Sequence, residues 1–373
     1  MLYNSFKDKS LSALGMGCMR LPTLENGEID RDQTAEIIDY AIKNGINYFD
    51  TAWGYHNGHS ETVIGELLSK YPRDSYYIAT KFPGYDISNM DKVREIFPRQ
   101  LEKTGMEYFD FYLIHDVCEI NIDHYLNGEY GIMPYLLEQK KAGKIRHLGF
   151  SAHGDIPIMK RFLEAYGEHM EFCQIQLNWL DYEFQNARGK LELLKEYDLP
   201  VWVMEPLRGG KLASLSPENE GLLKTLRPDE SVVGWGFRWL QSLPHICVTL
   251  SGMSSLEQIK ENINIFSESK PTSLEESETL YSIAQKLTHS VPCTACRYCT
   301  EKCPKDLDIP LLIELYNEHR FTGGGFLAPM RLSTLPRNKR PNACIGCRSC
   351  ERVCPQKIKI SEVFSDFREK LGK

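Results

Sequence analysis

The sequence predicts an α/β chain in two parts: a (β/α)8 barrel over residues 1–270 and a small, partly helical, cysteine-rich domain over 291–373, joined by a linker helix over 271–290. Three observations carry that reading. Strand-like apolar runs alternate with helix-like periodic segments eight times up to about residue 266, the size and count of one such barrel. No G-x-G-x-x-G follows the first strand, as a doubly wound open sheet built for dinucleotides would want. Eight of the twelve cysteines fall between Cys293 and Cys354, beyond a polar, proline-containing break at Ser267-Glu-Ser-Lys-Pro-Thr-Ser273.

In chain order, the strands begin near Leu14, Ile46, Tyr76, Phe109, Ile145, Phe172, Pro200 and Ile246. Between the first two, Asp32 to Asn44 sets Ala35, Ile38, Ala41 and Ile42 on one face and stops at Gly45. Ser60 is placed to cap the next helix, whose Val63, Ile64, Leu67 and Leu68 stand at core spacing. Similar patterns occupy about 91–104, 131–142, 156–166, 187–197, 229–241 and 255–265. After the break, Ser273 and Glu276 make a capping box, and Leu280, Ile283, Ala284 and Leu287 give the linker helix an apolar face.

At 373 residues the chain exceeds one ordinary core, and 42% hydrophobic with 25% charged residues is ordinary globular composition. The opening Met1–Ser10 has no apolar run suited to a signal peptide, and no 18-residue apolar stretch follows, so a cytoplasmic protein without a membrane role is expected. In a reducing compartment, clustered thiols mean metal before disulfides. The four scattered cysteines, Cys18, Cys118, Cys173 and Cys247, read as small core residues, with Cys18 and Cys118 near strand ends. Residues 291–373 carry 15 Lys and Arg against 9 Asp and Glu, a formal +6, and residues 1–290 carry −13. That excess is scattered among cysteines with no aromatic-basic face, which excludes a nucleic-acid reader and suits a domain that holds anionic clusters.

The predicted strand ends collect polar groups on one rim, where α/β barrels keep their chemistry. Asp50-Thr-Ala-Trp-Gly-Tyr55 follows the apolar run Ile46–Phe49, so a carboxylate and a phenol five residues on can enter one pocket. Lys81 closes the third strand, His115 the fourth and Ser151 the fifth; Gln174 and Asn178 flank the sixth, Met204-Glu205 end the seventh and Ser251-Gly252 the eighth. A phenol of pKa ~10 is a poor acid at neutral pH, and a neighbouring Lys ammonium lowers that value. Asp50 would hold the Lys charged and placed. His115, neutral or protonated, can hydrogen-bond a substrate oxygen, which completes a proton-donating pocket for a carbonyl receiving hydride. A lone strand-end His or Lys is more often structural, and a capping Asp with a rim-packing Tyr is the alternative for the first pair; four such groups on four consecutive assignments point to chemistry.

With these residues in place, the chain resembles the aldo-keto reductase family over about residues 10–266. The resemblance rests on Asp50-Thr-Ala-x-x-Tyr55, Ser60-Glu61-x-x-Ile-Gly65, Lys81, Leu113-Ile-His115, Gly143-Lys-Ile-Arg-His-Leu-Gly-Phe-Ser151, and Ser251-Gly252-Met253 leading to Glu261-Asn262. It implies a TIM barrel, a catalytic tetrad of Asp50, Tyr55, Lys81 and His115, and a nicotinamide cofactor. Ser151 and Gln174 match the family's carboxamide clasp, but Ala152 stands where an Asn belongs. Met204 replaces the usual stacking aromatic. Leu207-Arg208-Gly209-Gly210-Lys211 matches the pyrophosphate loop, and Arg208 is expected to pair with phosphate. Ser251, Gly252, Ser254, Gln258, Glu261 and Asn262 are the expected adenosine end. That stretch has no basic residue but Lys260, so NADP(H) over NAD(H) is a leaning taken from the family.

The tail repeats itself. Cys293-Thr-Ala-Cys-Arg-Tyr-Cys-Thr-Glu-Lys-Cys-Pro304 and Cys344-Ile-Gly-Cys-Arg-Ser-Cys-Glu-Arg-Val-Cys-Pro355 are both C-x2-C-x2-C-x3-C-P, 51 residues apart. Such a run gives three thiolates on one turn and a fourth that reaches elsewhere; in two-cluster ferredoxins that fourth cysteine ligates the other cluster. The implied [4Fe–4S] sets are Cys293, Cys296, Cys299 with Cys354, and Cys344, Cys347, Cys350 with Cys303. Zinc is the competing metal, but it commonly uses paired C-x2-C. The module resembles bacterial two-cluster ferredoxins, with forty residues between Cys303 and Cys344 that include a helix near Ile309 to Tyr316 and Gly323-Gly-Gly325. The whole then resembles a bacterial branch of aldo-keto reductases with such a tail.

The expectation is a cytoplasmic NAD(P)H-dependent reductase of a small aldehyde or ketone, carrying two [4Fe–4S] clusters and open to a redox partner protein. The alternative is a nicotinamide-binding redox sensor or electron-transfer subunit without a carbonyl substrate.

Overall fold

The computed structural model describes residues 1–288 and 291–372; residues 289 and 290, at the end of the expected linker helix, and Lys373 lie outside the described residues. The chain divides into two compact units, Met1–Leu280 and Tyr281–Lys373.

The first unit opens with an antiparallel hairpin, β1 (Tyr3–Phe6) and β2 (Lys9–Ser12). Eight parallel strands then close a barrel: β3 (Leu14–Gly17), β4 (Tyr48–Asp50), β5 (Tyr77–Phe82), β6 (Phe109–Val117), β7 (Ile145–Ala152), β8 (Cys173–Gln176), β9 (Val201–Met204) and β10 (Ile246–Ser251). β10 pairs with β3 to complete the ring. The hairpin went unread because its two four-residue strands are short and largely polar. It seals the N-terminal end of the barrel: Phe6 packs edge-on to Trp202 at 5.1 Å, within a layer that includes Tyr48, Phe111 and Phe172. Neighbouring pairs in register are Gly17 with Asp50, Asp50 with Ala79, Lys81 with Leu113, Ser151 with Gln174 and Gln176 with Met204, so the C-terminal strand ends share one rim.

The expected helices fall where periodicity put them, from Arg31–Lys43 to Leu256–Ile265, and Pro217–Leu226 is a further helix that the sequence reading lacks. Helix Ser60–Leu68 differs at its start. His59 occupies the cap position with no side-chain cap, and the Ser60 hydroxyl instead donates to the Cys18 carbonyl at 3.1 Å and meets Thr51 Oγ1 at 2.9 Å. The capping box forms as expected, Ser273 N to Glu276 Oε2 at 2.7 Å and Glu276 N to Ser273 Oγ at 3.2 Å, at the head of helix Leu274–Thr288. No helix among the described residues is long and apolar enough to cross a membrane.

In the second unit, helices Ile309–Thr322, Leu327–Thr334 and Ile360–Lys370 enclose a small core of Ile309, Leu312, Ile313, Leu332, Ile360, Phe364 and Phe367. The duplication seen in the cysteines extends into the backbone. Ile309 and Ile360 begin their helices 51 positions apart, and left-handed residues recur at the same offset: Ala295 and Gly346, Arg297 and Arg348, Asp306 and Lys357.

Candidate active site and thiol clusters

Lys81 is the centre of the rim. It is 1% exposed, and its Nζ donates to Asp50 Oδ1 at 2.5 Å, to the Thr51 carbonyl at 2.8 Å and to the Tyr55 hydroxyl at 3.3 Å. Burial pushes both the ammonium and the Asp50 carboxyl toward neutrality; their contact opposes this and holds Lys81 above its ordinary value. The Tyr55 phenol departs from the expected lowering. Burial raises it, Lys81 pulls it down, Asp50 pushes it up again, and the net direction is upward. The phenol therefore stays protonated, the form a proton donor needs.

His115 stands across from Tyr55, ring centroids 6.2 Å apart in a T-shaped arrangement. Burial, then the Lys81 charge, then His153 hold its imidazole well below the usual histidine range, so it is neutral. Among the described residues, His115 Nδ1, Asp50 Oδ2 and Gln174 Oε1 are buried without a hydrogen-bond partner. Unpaired buried polar atoms are costly, and three on strand ends that share one rim suit a ligand site.

Several supporting residues were not anticipated. Tyr85 packs edge-on against the His115 ring at 5.2 Å, and a Cβ on Gly54 would come within 2.2 Å of its hydroxyl, so the glycine before Tyr55 makes room for Tyr85. The Tyr125 hydroxyl donates to the His115 carbonyl at 2.6 Å. Behind Lys81, fully buried Glu61 accepts from Thr80 and Gln100 at 2.7 Å and from Lys103 at 2.6 Å, while Gln100 also donates to the Lys81 carbonyl at 2.9 Å. Glu61 falls within Ser60-Glu61-x-x-Ile-Gly65, but Gln100 and Lys103 reach it from helix Val93–Thr104, which no local spacing reveals.

The expected cofactor residues fall into two groups. Ser151 Oγ accepts from Asp116 N at 2.8 Å beside Gln174, and Met204 ends β9. At the end of β10, Asn262 donates to Ser251 Oγ at 3.1 Å and Ser254 N to Gln258 Oε1 at 2.8 Å, with Gly252 and Glu261 exposed nearby in the chain. After Leu207 the chain makes a left-handed turn through Arg208, Gly209 and Gly210, at φ 49°, 66° and 92°. Arg208 was expected to face a phosphate. It is 5% exposed, and its Nε donates to both Asp181 oxygens at 3.0 and 2.9 Å, where Gln176 and Asn178 also donate at 2.7 Å.

In the second unit, Cys293, Cys296, Cys299 and Cys354 line one cavity together with Pro310, Ile313, Ile358 and Ile360. The other set shows itself through electrostatics: burial and Glu351 push the Cys350 thiol up to about 12, with further contributions from Cys344 and Cys303. The fourth cysteine of each run thus lies beside the first three of the other. Among the described residues, no three His, Cys, Asp or Glu side chains converge to hold a single metal ion; the first four thiols surround a space instead. The donor set and apolar walls fit a cubane.

The closed barrel with an Asp, Tyr, Lys and His rim defines an oxidoreductase fold and site of a recognisable class. The chain belongs to the Aldo/keto reductase family, whose profile matches residues 13–312, and a 4Fe-4S dicluster domain profile matches residues 292–359. An NADH-specific methylglyoxal reductase of Escherichia coli is 25% identical over 301 residues, covering 69% of this chain and 90% of its own length. An oxidoreductase of Bacillus subtilis is 26% identical over 287 residues, covering 69% and 87%. The barrel architecture is shared with an aldo-keto reductase from Bacillus halodurans in its holo form (TM-score 0.62, 24% identity, 76% of this chain and 96% of that one). It is shared equally with one from Klebsiella pneumoniae in complex with NADPH (TM-score 0.62, 20% identity, 76% and 96%).

Proposed function

We propose that the barrel reduces a small aldehyde or ketone, with Tyr55 as proton donor and Lys81, Asp50 and His115 completing the tetrad. A bound NAD(P)H would supply hydride to the carbonyl carbon. The single observation that carries the reading is the Lys81 ammonium, buried between a carboxylate and a protonated phenol, opposite a neutral imidazole. Tyr55 gives its proton to the carbonyl oxygen as negative charge develops there, and Lys81 stabilises the phenolate left behind. Neutral His115 orients the same oxygen. Ser151 and Gln174 are the candidates to hold the nicotinamide carboxamide, and the Leu207–Gly210 turn and β10 loop the rest of the dinucleotide. One relative is named for NADH and one structural neighbour holds NADPH, so both coenzymes belong in the test; the leaning is to NADP(H). The eight cysteines are proposed to carry two [4Fe–4S] clusters, and clustered thiols of that kind suit the reducing cytoplasm.

The cavity lined by four cysteines favours a second reading, an electron-transfer or redox-sensing subunit. Nicotinamide chemistry moves two electrons and each cluster one, a mismatch usually bridged by a flavin. We therefore place the clusters outside the hydride step. Anaerobic turnover of a panel of aldehydes and ketones with NADH and NADPH tests the primary reading. Absence of turnover, with clusters bleached by NAD(P)H alone in flavin-free protein, would transfer the assignment to the second.

A further inference from the structure

Arg20 belongs to no motif that the sequence analysis singled out, yet its position is unusually well defined. It ends the short turn Cys18–Arg20 that follows β3. Both sides of that turn are pinned: Leu21 N donates to His56 Nε2 at 3.1 Å, next to Tyr55 in the chain, and Ser254 Oγ donates to the Arg20 carbonyl at 2.7 Å. From there the side chain crosses between two loops. A Cβ placed on Gly252 would meet the Arg20 stem at 3.0 to 3.4 Å, and one on Gly209 would meet its Nη2 at 3.0 Å. Two glycines, one after β10 and one after β9, thus leave the space this arginine occupies. Its side chain is exposed, and among the described residues it makes no hydrogen bond or ion pair.

The Leu207–Gly210 turn beneath it is a run of left-handed backbone, a geometry that gathers N–H groups around anions. The turn's own arginine is directed inward onto Asp181. The cation above the turn comes from the β3 loop instead. We propose that Arg20 clamps the diphosphate of the nicotinamide dinucleotide against the Gly209 turn, a role that rests on the nicotinamide reading above. A guanidinium matches two phosphate oxygens in one plane, which a Lys ammonium does not. The diphosphate is common to NAD(H) and NADP(H), so Arg20 serves both coenzymes alike and leaves the 2′-phosphate unread.

The test is equilibrium fluorescence titration of full-length, cluster-loaded protein with NADH and with NADPH, without oxygen, for wild type, Arg20→Gln and Arg20→Lys. Loss of one charge-assisted contact weakens both coenzymes by the same factor, about tenfold in Arg20→Gln, with Arg20→Lys between it and wild type. Weakening of NADPH alone would make Arg20 a 2′-phosphate reader and overturn the proposal, as would unchanged affinity for both. If wild type binds neither coenzyme, the nicotinamide reading fails with it; if wild type binds and Arg20→Gln binds equally, only the clamp fails.

Discussion

In the barrel, the groups proposed to do chemistry are held by protein: Lys81 has three acceptors, its strand is braced by Gln100, and Glu61 ties Gln100 to Thr80. In the second unit four of the thiols face one another around a space, with local contacts such as Thr300 at Cys299 and Ser349 at Cys347. Cys296 and Cys347 are exposed, and two of the fourteen buried core members, Cys299 and Cys350, are themselves proposed ligands. A core of that size closes with little to spare, so a bound inorganic group becomes part of the fold. The comparison predicts that the two sites fail differently: damage to the barrel rim should cost chemistry and spare the shape, whereas the tail should lose its shape with its metal.

The largest expected effect separates the two at once. Full-length protein prepared without oxygen should hold about eight irons, and stripping them should abolish hydrogen-exchange protection in the second unit while the barrel strands stay protected. Carbonyl reduction should survive in the stripped protein. Retained protection around Phe364 and Phe367 would break the contrast. Cys354→Ala should destroy the cluster of Cys293, Cys296 and Cys299, read by its spectroscopic signal; loss of the Cys344 cluster alone would refute the crossed pairing.

Within the barrel, Tyr55→Phe should lower kcat by about 10²–10⁴-fold with coenzyme affinity nearly unchanged, because the phenol acts in the chemical step. Steady-state kinetics beside a binding titration decides this, and near-wild-type turnover would remove Tyr55 from its role. Asp50→Asn leaves a buried ammonium without its counter-charge, and breaking such a pair costs about 3–5 kcal/mol. Urea unfolding of the barrel should show that loss.

The smallest effect concerns Glu171, far from the rim chemistry. Burial pushes its carboxyl up, but hydrogen bonds from His147, Lys140 and Lys7 outweigh that and hold it well below the usual range. A depressed carboxylate stabilises the fold above its unfolded pKa of about 4.3, and that contribution is lost as pH falls. Barrel stability should decline below about pH 5, and Glu171→Gln should flatten the decline by about 1 kcal/mol. An unchanged slope would exclude Glu171 as its source.

The barrel and the tetrad were legible because each strand is a buried apolar run ending in a polar residue, a local pattern that survives without knowledge of partners. The cysteine runs were legible through their spacing, and the crossed sets remain a proposal that the likeness to two-cluster ferredoxins supplies. What stayed hidden depends on distant contacts. Tyr85 reaches His115 only because Gly54 gives way, and Arg208 was directed to phosphate because nothing in its neighbourhood announces Asp181, a carboxylate 27 positions earlier. Tyr55 was expected to be acidified by Lys81, an argument from charge alone; burial, which sequence spacing does not measure, reversed the sign.

The N-terminal hairpin sets an order of events during synthesis. Leu2 N bonds the Phe266 carbonyl at 2.7 Å, and Asn4 Nδ2 the Cys247 carbonyl at 2.8 Å, so the first residues made wait for nearly the last of the barrel before either is satisfied. Chains fold as units from the N-terminus as they emerge. With crossed pairing, neither cubane is complete until the second cysteine run is out, so the cell's iron-delivery machinery meets a chain whose barrel is already closed. Starvation for iron would then leave a closed barrel followed by an unfolded cysteine domain.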